Sequence, residues 1–322
     1  MTRRMLSRVA DSIYWVNRYM ERIENYARFI SVNIHLSLEA PGLFSEDWRA
    51  LLAATADESL YHTFYDSPER ESVIHFLTFD PRNPNAIFSC LSAARENART
   101  IREALPKELW EHLNGFYLQI KEASQRGSLW ESPEHFFEQV KKGVQLFWGM
   151  VDSTLSRQEG YYFGHLGRYL ERGDKTSRFL DIKYFTAHRG SMTSAQPQDL
   201  LIWSSVLKSV SAYNMYRQQY KSVDPEHLVA FLVTDKSFPR SILYCVREAE
   251  RALYAISGQR MEDGYSNEAE RALGKLRHEI EYITLDEIFT EGLHPFLDRF
   301  QRLNNQIDQE VFGHYFAWKP VE

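Results

Sequence analysis

The sequence predicts an all-α protein. It reads as a single helical bundle over residues 1–322, built from two tandem repeats, 1–158 and 159–322, packed about a pseudo-two-fold axis. Three observations predict this. Apolar residues recur at alternating three- and four-residue steps, as along one face of an α-helix. No stretch alternates apolar and polar residues as a half-buried strand does. Arg18-Tyr19-Met20-Glu21-Arg22 returns 150 positions later as Arg168-Tyr169-Leu170-Glu171-Arg172. From 18 to 30 against 168 to 180, six of thirteen residues are identical, where average composition gives about one by chance. Two long units are too few for an open solenoid, which leaves a bundle.

The first helix is predicted from the stripe Leu6, Val9, Ile13, Val16, Met20, Ile23, Ala27, Ile30, Ile34. Its other side carries Asp11, Tyr14, Trp15, Arg18, Arg22, Asn25 and Phe29, too aromatic for a solvent face, so the helix is expected to be covered on both sides. Pro41-Gly42 ends it. Trp48 to Tyr65 reads as a second helix and Glu69 to Leu77 as a shorter one. The turn Asp80-Pro81-Arg82-Asn83-Pro84 follows, with Asn83 as a cap for a helix from Asn85 to Leu105. Pro106 starts the next helix, reaching Ala123. Gly127-Ser128 is a loop, and Pro133 opens a helix to Leu155. Gly160 marks the break before the second Arg/Glu/Arg helix. At an offset of 155, Trp48, Tyr61, Tyr65, Pro84, Cys90 and Ala94 match Trp203, Tyr216, Tyr220, Pro239, Cys245 and Ala249. Gly173 and Ser177, small and four apart on the apolar face, are where the two motif helices are expected to cross.

A hydrophobic content of 43% supports a substantial core. The net charge of −6 argues against general affinity for nucleic acid. No run approaches the roughly 20 apolar residues of a membrane span, and no apolar segment after Met1-Thr2-Arg3-Arg4 is long enough for a signal peptide. A cytoplasmic setting is therefore expected. The two cysteines, Cys90 and Cys245, read as small buried residues, not a disulfide.

The repeated cluster is the candidate site: Arg18, Glu21, Arg22 and Asn25 on one helix, Arg168, Glu171 and Arg172 on the other. One reading is structural, with each Glu paired to an Arg so that a buried ion network fixes the register of the two halves. The other is a binding site, in which the arginines form a positive pocket for carboxylates or phosphates, walled by Tyr14, Trp15, Tyr19 and Tyr169. Buried charges are most often satisfied locally, which favours the first. The excess of cations on both helices favours the second.

Self-sufficient catalytic patterns are not evident. Glu291-x-x-His294 occurs once, whereas di-iron bundles need the motif twice. No metal ligand set and no cofactor is expected. There is no phosphate-binding glycine loop and no nucleophile elbow. Asp80 and Asp235 read as turn residues. An enzymatic alternative would use Glu21 or Glu171 as acid/base.

Leu6 to Trp15, followed by Arg18-Tyr19-Met20-Glu21-Arg22-Ile23-Glu24-Asn25, resembles the opening of the bacterial alpha-E domain family, all-helical proteins named for a Glu-Arg motif. Gly167 to Arg172 resembles the family's second copy. The likeness covers essentially the whole chain, with Asn17 departing from the glycine expected there. The resemblance implies context more than chemistry. Such proteins are encoded beside, or fused to, circularly permuted ATP-grasp proteins resembling carboxylate–amine ligases. Transglutaminase-like peptidases, and in some bacteria a proteasome-related peptidase, lie in the same neighbourhoods. The implied role is a helical accessory subunit in peptide or amide-bond synthesis or modification, binding an anionic peptide-like substrate or docking the ligase through the two motif helices.

Overall fold

The computed structural model describes residues 5–39, 47–187 and 197–317. Among these, sixteen α-helices and a few short 3-10 or π turns account for the regular structure, and no strand occurs. No helix among the described residues is long and apolar enough to cross a membrane.

Two long helices form the centre: α1 (Ser7–Glu39) and α9 (Glu159–Ala187). They pack against each other in parallel, since Ile13 meets Gly160, Arg18 meets Glu171 and the rings of Phe29 and Phe179 stack at 4.2 Å. The apolar stripe of α1 is buried from Ile13 to Ile34, and so are Tyr14, Arg18, Asn25 and Phe29 on its other side. The helix is thus covered on both faces, as its aromatic content requires.

The remaining helices of the first half are α2 (Asp47–Thr55), α3 (Glu58–Tyr61), α4 (Arg70–Thr78), α5 (Ile87–Thr100), α6 (Lys107–Arg126), α7 (Ser128–Glu131) and α8 (Pro133–Thr154). Those of the second are α10 (Pro197–Ser209), α11 (Tyr213–Gln219), α12 (Pro225–Val233), α13 (Ile242–Ser257), α14 (Glu268–Tyr282), α15 (Leu285–Glu291) and α16 (Leu293–Val311). Helices α5 and α8 flank α1, while α13 and α16 flank α9. Helices α2 and α10 each lie against both central helices.

Several local expectations are corrected. The predicted helix from Trp48 to Tyr65 is two helices, α2 and α3, broken where Ala56 takes φ 63°. The break turns Asp57 inward, where it accepts hydrogen bonds from Tyr26 and Asn85 at 2.8 and 2.9 Å. Asn83 does not cap α5; the helix begins at Ile87, and Asn83 Oδ1 instead accepts from the Asn85 amide. The pattern to Leu105 ends as α5 at Thr100 followed by a 3-10 turn, Arg102–Ala104. The predicted helix end at Pro41-Gly42 lies outside the described residues.

The crossing point of α1 and α9 also differs from expectation. A Cβ on Gly173 would lie 3.4 Å from Cys245 and from Phe300, so this glycine admits α13 and α16, not α1. The close approach is at Gly164 and Gly167 instead. A Cβ on Gly167 would lie 2.6 Å from the Tyr14 carbonyl oxygen, and one on Gly164 would lie 2.7 Å from Asn17 Nδ2. At the 150 offset, Tyr14 matches Gly164 and Asn17 matches Gly167. Each large residue on α1 therefore fills the space left by a glycine on α9. That complementarity accounts for Asn17 in place of glycine.

Candidate functional site

The seven candidate residues do come together, at the interface of α1 and α9. Glu21 and Glu171 are fully buried. Arg172 donates to Glu21 through Nε at 2.9 Å and Nη2 at 2.7 Å. Arg22 donates to Glu171 through Nε at 2.7 Å and Nη2 at 3.0 Å. Each carboxylate is thus gripped in two-pronged fashion by the arginine of the opposite helix, the strongest geometry an arginine offers. Arg18 adds a bond to Glu171 Oε2 at 3.0 Å and one to Asp308 Oδ1 at 2.6 Å, and Tyr14 also donates to Asp308.

Residues outside these seven complete the network; of them Lys175 shares the helix side of Arg168 and Arg172 in sequence, while Arg240 and Asn85 are not evident as site residues there. Arg240 donates to Glu21 at 3.0 Å and to Asn25 Oδ1 at 2.9 Å, and pairs with Glu24 at 3.0 Å. Arg22 Nη1 donates to Asn85 at 2.6 Å. On the other side Lys175 lies 3.6 Å from Glu171 and donates to Asp174 at 3.1 Å. Positions 25 and 175 match at the 150 offset, and 85 and 240 at the 155 offset. The first carboxylate therefore has Asn25 with Arg240, and the second has Lys175 with Asn85. Beyond Arg18 at Glu171 and Arg168 at 3.8 Å from Glu21, each receives one further cation, from opposite members of the two matched pairs. The 155 offset that aligns Pro84 with Pro239 was the signal that would have found Arg240. Asp308 had none, because it arrives from α16 with no motif around it.

Electrostatics follow from burial and pairing. Both terms act on Glu21 and Glu171: burial raises a carboxyl pKa, but the arginines outweigh it and hold both groups below the ordinary carboxylate range. Neither glutamate has a proton to exchange near neutrality or a path to solvent, which counts against the acid/base alternative. Asp308 from α16 offsets part of the cation excess read from α1 and α9 by pairing with Arg18, while Arg240 adds a cation from outside the two helices.

Arg168 stands apart. Its Nε is buried without a hydrogen-bond partner and lies 3.8 Å from Glu21 Oε2. Its guanidinium lies over the Trp148 ring at 3.9 Å. Burial and the neighbouring Arg172 push its pKa down. Trp148 Nε1 and His165 Nε2 are likewise buried without hydrogen-bond partners.

The aromatics cover guanidinium groups instead of walling an open arginine pocket. Arg18 lies over Trp15 and Tyr14 at 5.1 and 5.6 Å, Arg22 over Tyr19 at 5.9 Å, and Arg172 over Tyr169 at 5.3 Å. The cavity of about 200 Å3 beside Tyr14 and Trp15 carries Asp308 and Gln309 with Phe312 and Phe316, so its charged wall is acidic. Among the described residues no group of three or more His, Cys, Asp and Glu side chains is placed to hold a metal ion. Glu291 pairs with Arg299, and His294 with Asp181. Asp80 accepts from Arg82, and Asp235 from the amides of Ser237 and Phe238, both within their turns. Cys90 and Cys245 are buried thiols, and burial pushes each up to about 12.

Comparison with known proteins adds the following. The profile of a family described as a predicted alpha-helical domain with a conserved ER motif matches residues 5–316. Two uncharacterized proteins, one from Mycobacterium bovis and one from Mycobacterium tuberculosis, are each 21% identical to this chain over 317 residues. The match covers 90% of this chain and 34% of each relative, so the chain spans about a third of their length. No solved structure matches.

Proposed function

Because the chain belongs to the Alpha-E family, we propose that it is a helical accessory module of a peptide or amide-bond synthesis or modification system, acting with a separate catalytic partner. In this reading the Glu-Arg motifs are the internal staple of the scaffold. The observation that carries it is the reciprocal grip of Glu21 by Arg172 and of Glu171 by Arg22, which uses the motif's charges inside the protein. The relatives support a second component, since about two thirds of their length lies beyond the matched region. The resemblance names that component as a circularly permuted ATP-grasp ligase, with a transglutaminase-like peptidase as a further partner. A cytoplasmic setting suits the two unpaired buried thiols. The test is co-purification of the native chain with the ligase, followed by assay of ADP formation with peptide acceptors. The chain should raise the ligase's turnover and show none alone. Turnover of peptide or ATP by the pure chain would overturn the reading.

A second reading, binding of an anionic peptide-like substrate, narrows to Arg168. It is supported by two buried N–H donors without hydrogen-bond partners, on Arg168 and Trp148, with the unpartnered Nε2 of His165 also buried. Titration with a carboxylate-terminated peptide should saturate in the native chain and weaken at least tenfold in Arg168→Ala, the loss of one charge-assisted pair. Binding unaffected by the substitution would end it.

A further inference from the structure

A second set of buried carboxylates lies away from the central network. Glu250 on α13 and Glu270 on α14 are 4% and 0% exposed. Both line a cleft of about 520 Å3 between the two helices, a size ordinary for small-ligand sites. The corresponding place in the first half is built differently. At the 155 offset Glu250 stands where Arg95 stands, and Arg95 spans from α5 to α6. Its Nε donates to Asn114 at 2.8 Å and its guanidinium lies over the Tyr117 ring at 4.8 Å. Glu250 is shorter and of opposite charge.

The connections differ as well. Residues 101–106 join α5 to α6, whereas 258–267 join α13 to α14. Within the longer connection Gly264 adopts φ 89°, ψ −156°, a region essentially restricted to glycine. Its carbonyl accepts from the Tyr254 hydroxyl at 3.1 Å. That bond folds the connection back over the helices and sets Met261 and Tyr265 at the mouth of the cleft.

The two carboxylates are not equally satisfied. Glu250 Oε2 is 2.7 Å from Arg277 Nε. Glu270 Oε2 accepts from the Ser266 amide at 2.6 Å and from its hydroxyl at 2.9 Å. Glu270 Oε1 is buried with no hydrogen-bond partner. A buried acceptor left open is costly, and a charged donor compensates it best. Lys275 and Arg271, both on α14, give the outer part of the same cleft positive charge, although Arg271 also donates to Glu268 at 2.8 Å. Acceptor within, cations without and aromatic walls between describe one kind of ligand.

We propose that this cleft binds a small zwitterionic amine of the amino-acid type, its ammonium donating to Glu270 Oε1 and its carboxylate facing Arg271 and Lys275. The site shares no residue with the α1–α9 network and stands whether or not that network is a staple. Tyr254, Met261 and Tyr265 supply contact for an apolar side chain, so leucine is a suitable probe.

The experiment is titration of the full chain with L-leucine, L-leucinamide and N-acetyl-L-leucine, read by calorimetry and saturation-transfer NMR. Leucine and leucinamide should bind, and N-acetylleucine, which lacks the ammonium, should bind at least tenfold more weakly. Glu270→Gln should weaken leucine at least tenfold with its melting temperature unchanged. Gly274→Leu, which places a side chain in the cleft beside Glu250, should abolish binding with Glu270 intact, and it decides the matter if Glu270→Gln does not fold. Failure of leucine to saturate at millimolar concentration, equal binding of N-acetylleucine, or unchanged affinity in Gly274→Leu would overturn the proposal.

Discussion

Arg172 and Glu21, 151 residues apart, are joined by two hydrogen bonds in the buried interface of α1 and α9. The bonds at Arg22 and Glu171 repeat the arrangement with the helices exchanged. A buried ion pair does not automatically stabilise, since both charges lose water. Its consequence is selective: a register shift of either helix strands four charges at once. The pairs therefore specify how the two long helices meet, while the apolar stripes supply most of the driving force.

Removing one member should be severe, and unequally so. Arg172→Met leaves Glu21 with Arg240 at 3.0 Å, Asn25 at 3.1 Å and the more distant Arg168 at 3.8 Å, and should cost roughly 3–5 kcal/mol, the range for breaking a buried pair. Glu21→Met strands Arg172 without a carboxylate, leaves Arg240 only Glu24 and Asn25, and should cost more. Urea unfolding of the two variants, compared by midpoint with unchanged slope, checks the order. Equal and small losses would mean that water reaches the network.

The pH response has two windows. His165 is held neutral by burial and by Arg168, which push its pKa to about 4 from the usual 6.5. Above pH 6.5 it contributes nothing to the pH dependence. As pH falls from 6.5 to 4 the unfolded chain gains a proton that the folded chain does not, so stability drops, by about 3 kcal/mol at most. His165→Gln should flatten this window in a series of melts. Glu21 and Glu171 act lower. Their pKa values are depressed, so their contribution is complete above the ordinary carboxylate range and is lost as pH falls beneath it. The glutamine variant should retain that second loss.

Glycine substitutions separate helix propensity from helix approach. At Gly167 a Cβ would meet the Tyr14 carbonyl at 2.6 Å, whereas at Gly149 it meets nothing within 4 Å. Gly149→Ala should stabilise by about 0.5–1 kcal/mol, the ordinary gain within a helix. Gly167→Ala should destabilise by about 1–3 kcal/mol, because backbone cannot yield as a side chain can. Thermal melts of the pair suffice, and a stabilised Gly167→Ala would refute the close approach.

The long-range pattern was legible because it rests on period. The stripe from Leu6 to Ile34 specifies α1, and its aromatic far side foretold burial on two faces. The pairing of Glu21 and Glu171 with arginines was readable as one of two alternatives. What escaped was set by three-dimensional meeting. Gly173 and Ser177 look like a crossing point in sequence, yet Gly164 and Gly167 take that role, because the partners Tyr14 and Asn17 could not be known without the register. Asp57 was placed inside a helix, since nothing local announces the positive φ at Ala56 that turns it inward. Asp308 supplies a charge that no motif on α16 signals.

The exchanged cations offer the sharpest test of how the two halves correspond. Glu21 takes its extra cation from Arg240 and Glu171 takes its own from Lys175, while Asn25 and Asn85 occupy the matched positions. If the two environments are equivalent, the cation can be moved. Arg240→Asn alone should destabilise by roughly 3 kcal/mol or more, since it also leaves Glu24 without this partner. Adding Asn25→Lys places an ammonium where Lys175 stands in the other half, in the space that Arg240 vacates. The double variant should regain about 1 kcal/mol or more, within the range of coupling for residues in one network. Asn25→Lys in the native background should destabilise, because it crowds Arg240 with a like charge. A double variant no better than Arg240→Asn would show that the two carboxylate environments are not interchangeable, whatever the likeness of their sequences.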